Sequence, residues 1–76
     1  MAPIHPVHYK ALIKVFERDG FVFDRQRGDL LIYVKAGMPR PLVIPAYSEV
    51  PVFIVKNLLR TAGMSPDRYF ELLEGL

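Results

Sequence analysis

The hydrophobic pattern begins with helical spacing near the start of the chain, at Tyr9, Leu12, Ile13 and Phe16. Charged residues fill most of the positions between them, which is typical of a helix with one buried face. Gly20 follows, and glycine commonly ends a helix in the left-handed conformation. The pattern therefore predicts a first helix that ends near Gly20.

Three short apolar segments follow this helix, and they comprise residues 21–23, 30–34 and 42–44. They are rich in β-branched and aromatic side chains, which favour strands. The polar stretch 25–29 contains Gly28 and predicts a turn between the first two strands, and residues 37–41, with two prolines, predict a second turn. Connections this short join neighbouring antiparallel strands.

Two more helices are predicted after the strands. A broad apolar stripe predicts one from about Pro51 to Ala62. Ser65 then offers a capping hydroxyl ahead of Pro66, and apolar positions at helical spacing continue to Leu76. The order α-β-β-β-α-α predicts an α+β sandwich with a three-stranded antiparallel sheet, helices on one of its faces, and the other face open.

Composition limits what such a chain can be. Its 76 residues, 51% of them hydrophobic, correspond to one domain spanning residues 1–76, in which residues 1–6 carry no periodic pattern and are expected to be flexible. The absence of cysteine excludes disulfides, thiolate metal sites and cysteine nucleophiles. No apolar run approaches the ~20 residues of a membrane span, and the N-terminus lacks a signal-peptide pattern. We therefore expect a cytoplasmic protein.

The charge of the chain is unevenly distributed. Residues 1–63 hold nine of the ten Lys and Arg but five of the eight Asp and Glu, a net +4, whereas residues 64–76 carry a net −2. A basic body is a weak indication of a polyanionic partner, because phosphate neutralisation supplies most non-specific affinity for nucleic acid. An ordinary solvated surface explains the same charge.

Most enzyme signatures are missing from the sequence. It has no Gly-rich phosphate loop and no nucleophile elbow, and both of its histidines, His5 and His8, lie near the N-terminus. Two imidazoles without a nearby carboxylate make a poor metal site, so no metal is expected. Glu71 and Glu74 form a carboxylate pair in sequence, but Arg68 lies beside them, and we interpret the three as a solvated helix face.

Six stretches, in order, resemble one known family. They are residues 17–21 (ERDGF), 25–29 (RQRGD), 31–33 (LIY), 43–45 (VIP), 47–49 (YSE) and 56–65 (KNLLRTAGMS). Together they resemble the HicA family of mRNA interferase toxins over about residues 7–73. The resemblance implies a fold like that of double-stranded-RNA-binding domains and endoribonuclease activity on mRNA without metal or cofactor. It also implies neutralisation by an antitoxin of the HicB type encoded beside the toxin.

The resemblance also marks one position where the chain departs from the family. The family's second strand opens with glycine, a small or acidic residue, and then the catalytic histidine, whereas this chain reads Gly28, Asp29 and Leu30. Leucine has no atom that accepts or donates a proton. We therefore predict a catalytically inactive form, whether natural or engineered. Without the resemblance, Leu30 alternates with Ile32 and Val34 and is interpreted as a core residue.

The resemblance and the charges together select candidates for RNA contact. The basic ones are Arg25 and Arg27 in the predicted turn, Lys35 at the far end of the second strand, and Lys56 and Arg60 on the second helix. Such side chains hold phosphates without reading sequence. Gly28 permits a close backbone approach and Asp29 a cap, while a plain hairpin turn explains both. Tyr33 is interpreted as a packing residue in preference to a base-stacking one.

A second departure lies at the start of the second helix. Many family members carry a basic residue and a Gly-Thr pair there, whereas this chain has the apolar pair Val52 and Phe53. Core packing is the favoured interpretation, and contact with the antitoxin is the alternative. The sequence thus leaves three hypotheses: an mRNA interferase toxin, a non-catalytic module that binds RNA or antitoxin, and a small protein with no nucleic-acid role.

Overall fold

The computed structural model describes residues 3–75 and contains six elements in the predicted order. They are α1 (Tyr9–Arg18), β1 (Val22–Arg27), β2 (Leu30–Val34), β3 (Leu42–Pro45), α2 (Val52–Ala62) and α3 (Pro66–Glu74). The three strands form an antiparallel sheet in the order β1-β2-β3. The predicted α+β fold with a three-stranded antiparallel sheet is therefore confirmed.

The register of the sheet divides its residues between two faces. Tyr33 pairs with Leu42, and Leu31 with Ile44, and these four belong to the hydrophobic core or pack against it. Directly paired residues share a face and the next residue along a strand lies on the other. The alternate row on β2, which begins with Leu30, therefore lies on the opposite face, and we call this face the open face.

The core lies where α1 and α2 pack against β3 and where α3 packs against α1. Its buried side chains come from all three helices, from β2 and β3, and from the connections between elements. The largest fully buried ones are Tyr69, Phe16, Phe21, Leu12, Leu42 and Ile44. Tyr33 is buried among them and contacts Phe23 edge to face at 5.7 Å, which confirms its interpretation as a packing residue. By contrast, every residue of β1 is exposed.

The helices begin and end largely as their sequence signals predict. Gly20 follows α1 with φ +101°, a conformation that L side chains rarely adopt. The Ser65 hydroxyl accepts a hydrogen bond from the backbone N–H of Arg68 at 3.1 Å and caps α3. Pro51 differs slightly, because it lies just before α2 as a cap residue without a side-chain hydrogen bond rather than inside the helix.

The first strand is longer than predicted. Arg25 and Arg27 lie in β1, so the prediction that they belong to the turn is wrong, and the turn consists of Gly28 and Asp29 alone. Gly28 has φ +59° and Asp29 has no positive φ, which is the pattern of a two-residue type II′ hairpin. Because β1 is an edge strand exposed on both faces, it shows no hydrophobic alternation by which the sequence would have marked it. A bulge at Asp24 also shifts the register.

The two ends of the chain are only partly described. Of residues 1–6, which are predicted to be flexible, Met1 and Ala2 lie outside the described residues, and Ile4 packs partly buried against the core. Val7 forms an isolated antiparallel bridge with Val50. The last helix ends at Glu74 with Gly75 as its cap, short of the predicted continuation toward Leu76, and Leu76 itself lies outside the described residues. Within residues 3–75, no helix is long and apolar enough to span a membrane.

The buried hydroxyl of Tyr69 leads to a prediction about the stability of the fold. The Tyr69 hydroxyl is buried and has no hydrogen-bond partner among residues 3–75. A buried polar group without a partner costs about 1–3 kcal/mol. Tyr69→Phe is therefore expected to raise the free energy of unfolding by about 1 kcal/mol, which for a domain of this size raises Tm by roughly 4–8 °C. Thermal unfolding followed by circular dichroism measures this change.

Tyr69→Phe is also expected to change how stability depends on pH. Burial raises the pKa of Tyr69 above its ordinary value of 10.0, so the unfolded chain loses this proton at a lower pH than the folded chain does. Stability is therefore expected to fall as pH rises above 10, and to fall less in Tyr69→Phe. Tyr47→Phe, at a half-exposed tyrosine, is the matched control and should change neither the Tm nor the fall of stability above pH 10. Destabilisation by Tyr69→Phe would mean that the hydroxyl is bonded.

Candidate nucleic-acid interface

Leu30 lies at the start of β2 on the open face, with Arg27 on one side and Pro45 on the other. Its side chain is 41% exposed, so the interpretation of Leu30 as a core residue is wrong. Period-two alternation shows which residues share a face but not which face meets the helices. Since apolar residues occupy both rows of β2, the sequence could not distinguish the core row, Leu31 and Tyr33, from the open-face row.

The turn beside position 30 is linked to its surroundings by two hydrogen bonds. The Gln26 Nε2 amide donates to the carbonyl oxygen of Gly28 at 2.9 Å. The backbone N–H of Ala46 donates to the carbonyl oxygen of Asp29 at 2.7 Å, which links the turn to the end of β3. The carboxylate of Asp29 is left exposed. The backbone at this end of the open face is therefore held in place by hydrogen bonds.

Two of the predicted basic residues lie on the open face with Leu30. Arg27 is directly opposite Leu30, and Arg25 is opposite Ile32. Directly opposite residues of an antiparallel pair have Cβ atoms about 4.5–5.5 Å apart, so Arg27 is the immediate neighbour of position 30. Arg25 forms an exposed ion pair with the adjacent Asp24. The structure thus brings Arg25, Arg27, Gly28, Asp29 and Leu30 together at one end of the sheet.

Lys35 lies away from this group, beyond the opposite end of β2. It is five positions along the chain from Leu30, about 16 Å at 3.3 Å per residue of extended strand. Its ammonium is 3.5 Å from the Asp19 carboxylate and 5.5 Å from the centre of the Phe21 ring. Lys35 therefore links the end of β2 to the end of α1, and the structure does not bring it to position 30.

Lys56 and Arg60 are exposed and lie one turn apart on α2. Arg60 Nη1 donates a hydrogen bond to the Asn57 side-chain oxygen at 3.2 Å. Because α2 packs against β3, this pair belongs to the edge of the sheet remote from β1. No role was predicted for Asn57, although its spacing of three from Arg60 on a helix is a signal for such a contact.

The apolar pair at the start of α2 is not uniformly buried. Phe53 is 66% exposed, so the favoured interpretation of core packing is wrong for this residue, whereas Val52 is half-buried. Phe53 lies in the first turn of α2, before Val55, which is the first buried residue of that helix. Phe53 is therefore an exposed aromatic side chain at the start of α2.

The remaining candidate groups have local structural contacts. His8 Nδ1 accepts a hydrogen bond from the backbone N–H of Lys10 at 3.2 Å and caps α1. Glu71 forms an ion pair with Arg68 at 3.2 Å. Within residues 3–75, no group of three His, Asp or Glu side chains is placed to hold a metal ion. At Leu30 itself there is no ionisable atom, so the open face carries two arginines without an acid or base at that position.

These features define a class of small α+β protein in which helices cover one face of a three-stranded sheet and arginines lie on the other. The family model described as the HicA toxin of bacterial toxin-antitoxin matches residues 9–64, which run from α1 through α2. The chain therefore belongs to the HicA toxin family, and membership implies an antitoxin partner. No curated protein matches the chain closely enough to add a relative.

Proposed function

We propose that this chain is an RNA-binding HicA-type mRNA interferase of a type II toxin–antitoxin system, in a form that has lost cleavage. The observation that carries the proposal is the position of Leu30, exposed on the open face directly beside Arg27. A leucine there contributes nothing to the core. A histidine at the same position would project beside a cationic group that can hold a phosphate.

The chemistry proposed for this position needs one residue that both accepts and donates a proton. A histidine at position 30 would accept the proton of a ribose 2′-hydroxyl as its oxygen attacks the adjacent phosphorus, and would return a proton to the leaving 5′-oxygen. The phosphorus–oxygen bond to the next nucleotide breaks as the bond to the 2′-oxygen forms. Leucine supports neither transfer, so the chain binds its substrate without cleaving it.

The proposed phosphate contacts form two groups, one on the open face and one on α2. Arg25 and Arg27 would bind phosphates beside position 30, and the Gly28 and Asp29 backbone would allow the strand to approach closely. Lys56 and Arg60 would bind the RNA where it passes over α2. Lys35, which is engaged with Asp19, contributes by holding β2 in place. The proposed site of action is the cytoplasm, and the proposed protein partner is a HicB-like antitoxin.

A non-catalytic module that binds only the antitoxin is the second candidate function. The observation favouring it is Phe53, which exposes an aromatic ring where family members were expected to have polar groups. Aromatic side chains in exposed positions are enriched at protein interfaces. This candidate predicts antitoxin binding that weakens in Phe53→Ala, with no measurable RNA binding.

Titration of a fluorescently labelled single-stranded RNA with the purified chain tests the proposed function. Three or four phosphate contacts predict that affinity falls about 20- to 50-fold between 50 and 200 mM salt, because the salt slope for single strands is about −0.7 per phosphate. Incubation of the same RNA should leave it intact. Absence of binding at 50 mM salt would exclude an RNA-binding role, and salt-independent affinity would exclude the phosphate contacts.

A further inference from the structure

A shallow groove separates β3 from α2 at the edge of the sheet remote from β1. Its volume is about 290 Å³, and it is lined by Pro41, Val43, Ile54, Asn57, Leu58 and Thr61. The α2 residues are spaced three or four apart and so form one face of the helix. The groove is therefore built between a strand and a single helical face.

The groove is continuous with the open face. Val43 is 40% exposed and pairs with Ile32, which shares the open-face row of β2 with Leu30. Val43 lies one strand across from Leu30 and two residues along, which corresponds to a separation of about 8 Å in an antiparallel sheet. A nucleotide that neighbours the one bound at position 30 can therefore reach the groove without leaving the surface of the protein.

The lining combines an apolar floor with polar groups at its margin. Val43, Ile54 and Leu58 provide aliphatic surface for the face of a planar ring. Arg60 occupies the side-chain oxygen of Asn57, which leaves the two Nδ2 hydrogens of that amide free to donate. The Thr61 hydroxyl is able to donate or accept. A nucleobase is complementary to this lining, because it has an apolar face and an edge of hydrogen-bonding atoms.

Size and charge favour a nucleotide over a segment of a protein partner. A volume of about 290 Å³ lies just below the range of small-molecule sites, roughly 300–1,000 Å³, and suits a single small group. None of the lining residues is acidic, and the Arg60 guanidinium lies at the margin of the groove, 3.2 Å from the Asn57 side-chain oxygen. Its positive charge is complementary to the phosphates that flank a base.

We propose that this groove binds one base of a single-stranded RNA, next to the nucleotide at position 30. The base lies against Val43, Ile54 and Leu58, and Asn57 Nδ2 donates to an acceptor on its edge. The groove thereby gives the protein a preference for the identity or presence of a base at one position. This inference rests on the proposed binding of RNA to the open face.

An abasic scan tests the groove separately from the phosphate contacts. Labelled RNA hexamers of each of the four bases are titrated first, and the best binder is then resynthesised with one abasic nucleotide at each position in turn. We expect affinity to fall at least about fivefold when one particular position lacks its base, as is typical of a base held on a side-chain surface. The other positions should change less.

Isosteric variants test whether the loss of affinity for the abasic RNA arises in the groove. In the double variant Asn57→Leu with Thr61→Val, the intact and abasic RNAs should bind equally well, while the salt slope stays that of the parent chain. Thr61→Ser keeps the hydroxyl and is the matched control that should retain the preference. Thermal unfolding confirms that each variant is folded, and an unfolded double variant is replaced by Asn57→Leu alone.

The outcomes distinguish the groove from the function on which it rests. Salt-dependent RNA binding with a flat abasic scan would overturn the groove and leave the proposed function in place. A preference that survives in the double variant would likewise overturn it. Weaker binding of the neighbouring antitoxin by the double variant, with an unchanged RNA profile, would assign the groove to the protein partner. Absence of all RNA binding would overturn both.

Discussion

Replacing Leu30 by histidine is expected to give this chain endoribonuclease activity at least about 10²–10⁴-fold above that of the Leu30 protein, the range that positioned acid–base catalysis supplies. The expectation follows from geometry, since position 30 is exposed on the open face beside Arg27. The turn before it is fixed to β3 by the hydrogen bond from Ala46 to Asp29. An imidazole introduced there would therefore be held on a rigid strand, with its nitrogens accessible to RNA.

Cleavage of a labelled RNA over a range of pH measures this prediction. A single group acting in both directions gives a rate that depends on pH around the pKa of histidine, near 6.5. Leu30→Gln is the matched control, because it introduces a polar side chain of similar size that does not titrate, and it should remain inactive. Growth arrest on expression of Leu30→His is the expected cellular result. Cleavage by the Leu30 protein, or a folded but inactive Leu30→His, would contradict the proposal.

Removing Arg25 and Arg27 together is expected to produce the largest loss of RNA affinity. Each phosphate contact to a single strand contributes about 0.7 to the slope of log affinity against log salt, so the double alanine variant should lower that slope by about 1.4. Near 0.1 M salt this corresponds to an affinity about 25-fold weaker. Both arginines lie on the exposed strand β1 and contribute no core surface, so stability should change little.

Lys35→Ala is the matched control for this variant, because it removes one positive charge from a different end of the sheet. Lys35 contacts Asp19 and the Phe21 ring, so its loss should lower Tm slightly while leaving the salt slope close to that of the parent chain. Fluorescence anisotropy at four or more salt concentrations gives the slopes. A fall in the slope half as large in Lys35→Ala as in the double variant, in proportion to the charge removed, would mean that RNA responds to net charge alone and not to contacts at the turn.

The parts of the fold that the sequence predicts are those in which one local signal has one structural meaning. The spacing of Leu12 and Phe16 requires a helix with a buried face, and Ser65 before Pro66 marks the start of another. Both were confirmed. The extent of β1 could not be predicted in the same way, because a strand exposed on both faces has no alternating pattern.

The candidate site was less accessible to sequence reasoning because it depends on which face of the sheet the helices cover. Leu30 and Leu31 are chemically identical, and only the tertiary packing places one on the open face and the other toward the core. The family resemblance alone drew attention to position 30. No sequence signal marked Asn57 and Thr61 as groove residues, since their relation to Val43 arises only when α2 lies beside β3.

The bulge at Asp24 bears on how the protein behaves at high concentration. β1 forms one edge of the described sheet, and an edge strand presents unpaired backbone groups on which a second molecule is able to add a strand. The bulge interrupts the regular spacing of those groups, and the hydrated charged side chains of β1 disfavour the addition of a strand to this edge. The irregularity that lengthens β1 therefore also protects the hairpin from edge-to-edge aggregation.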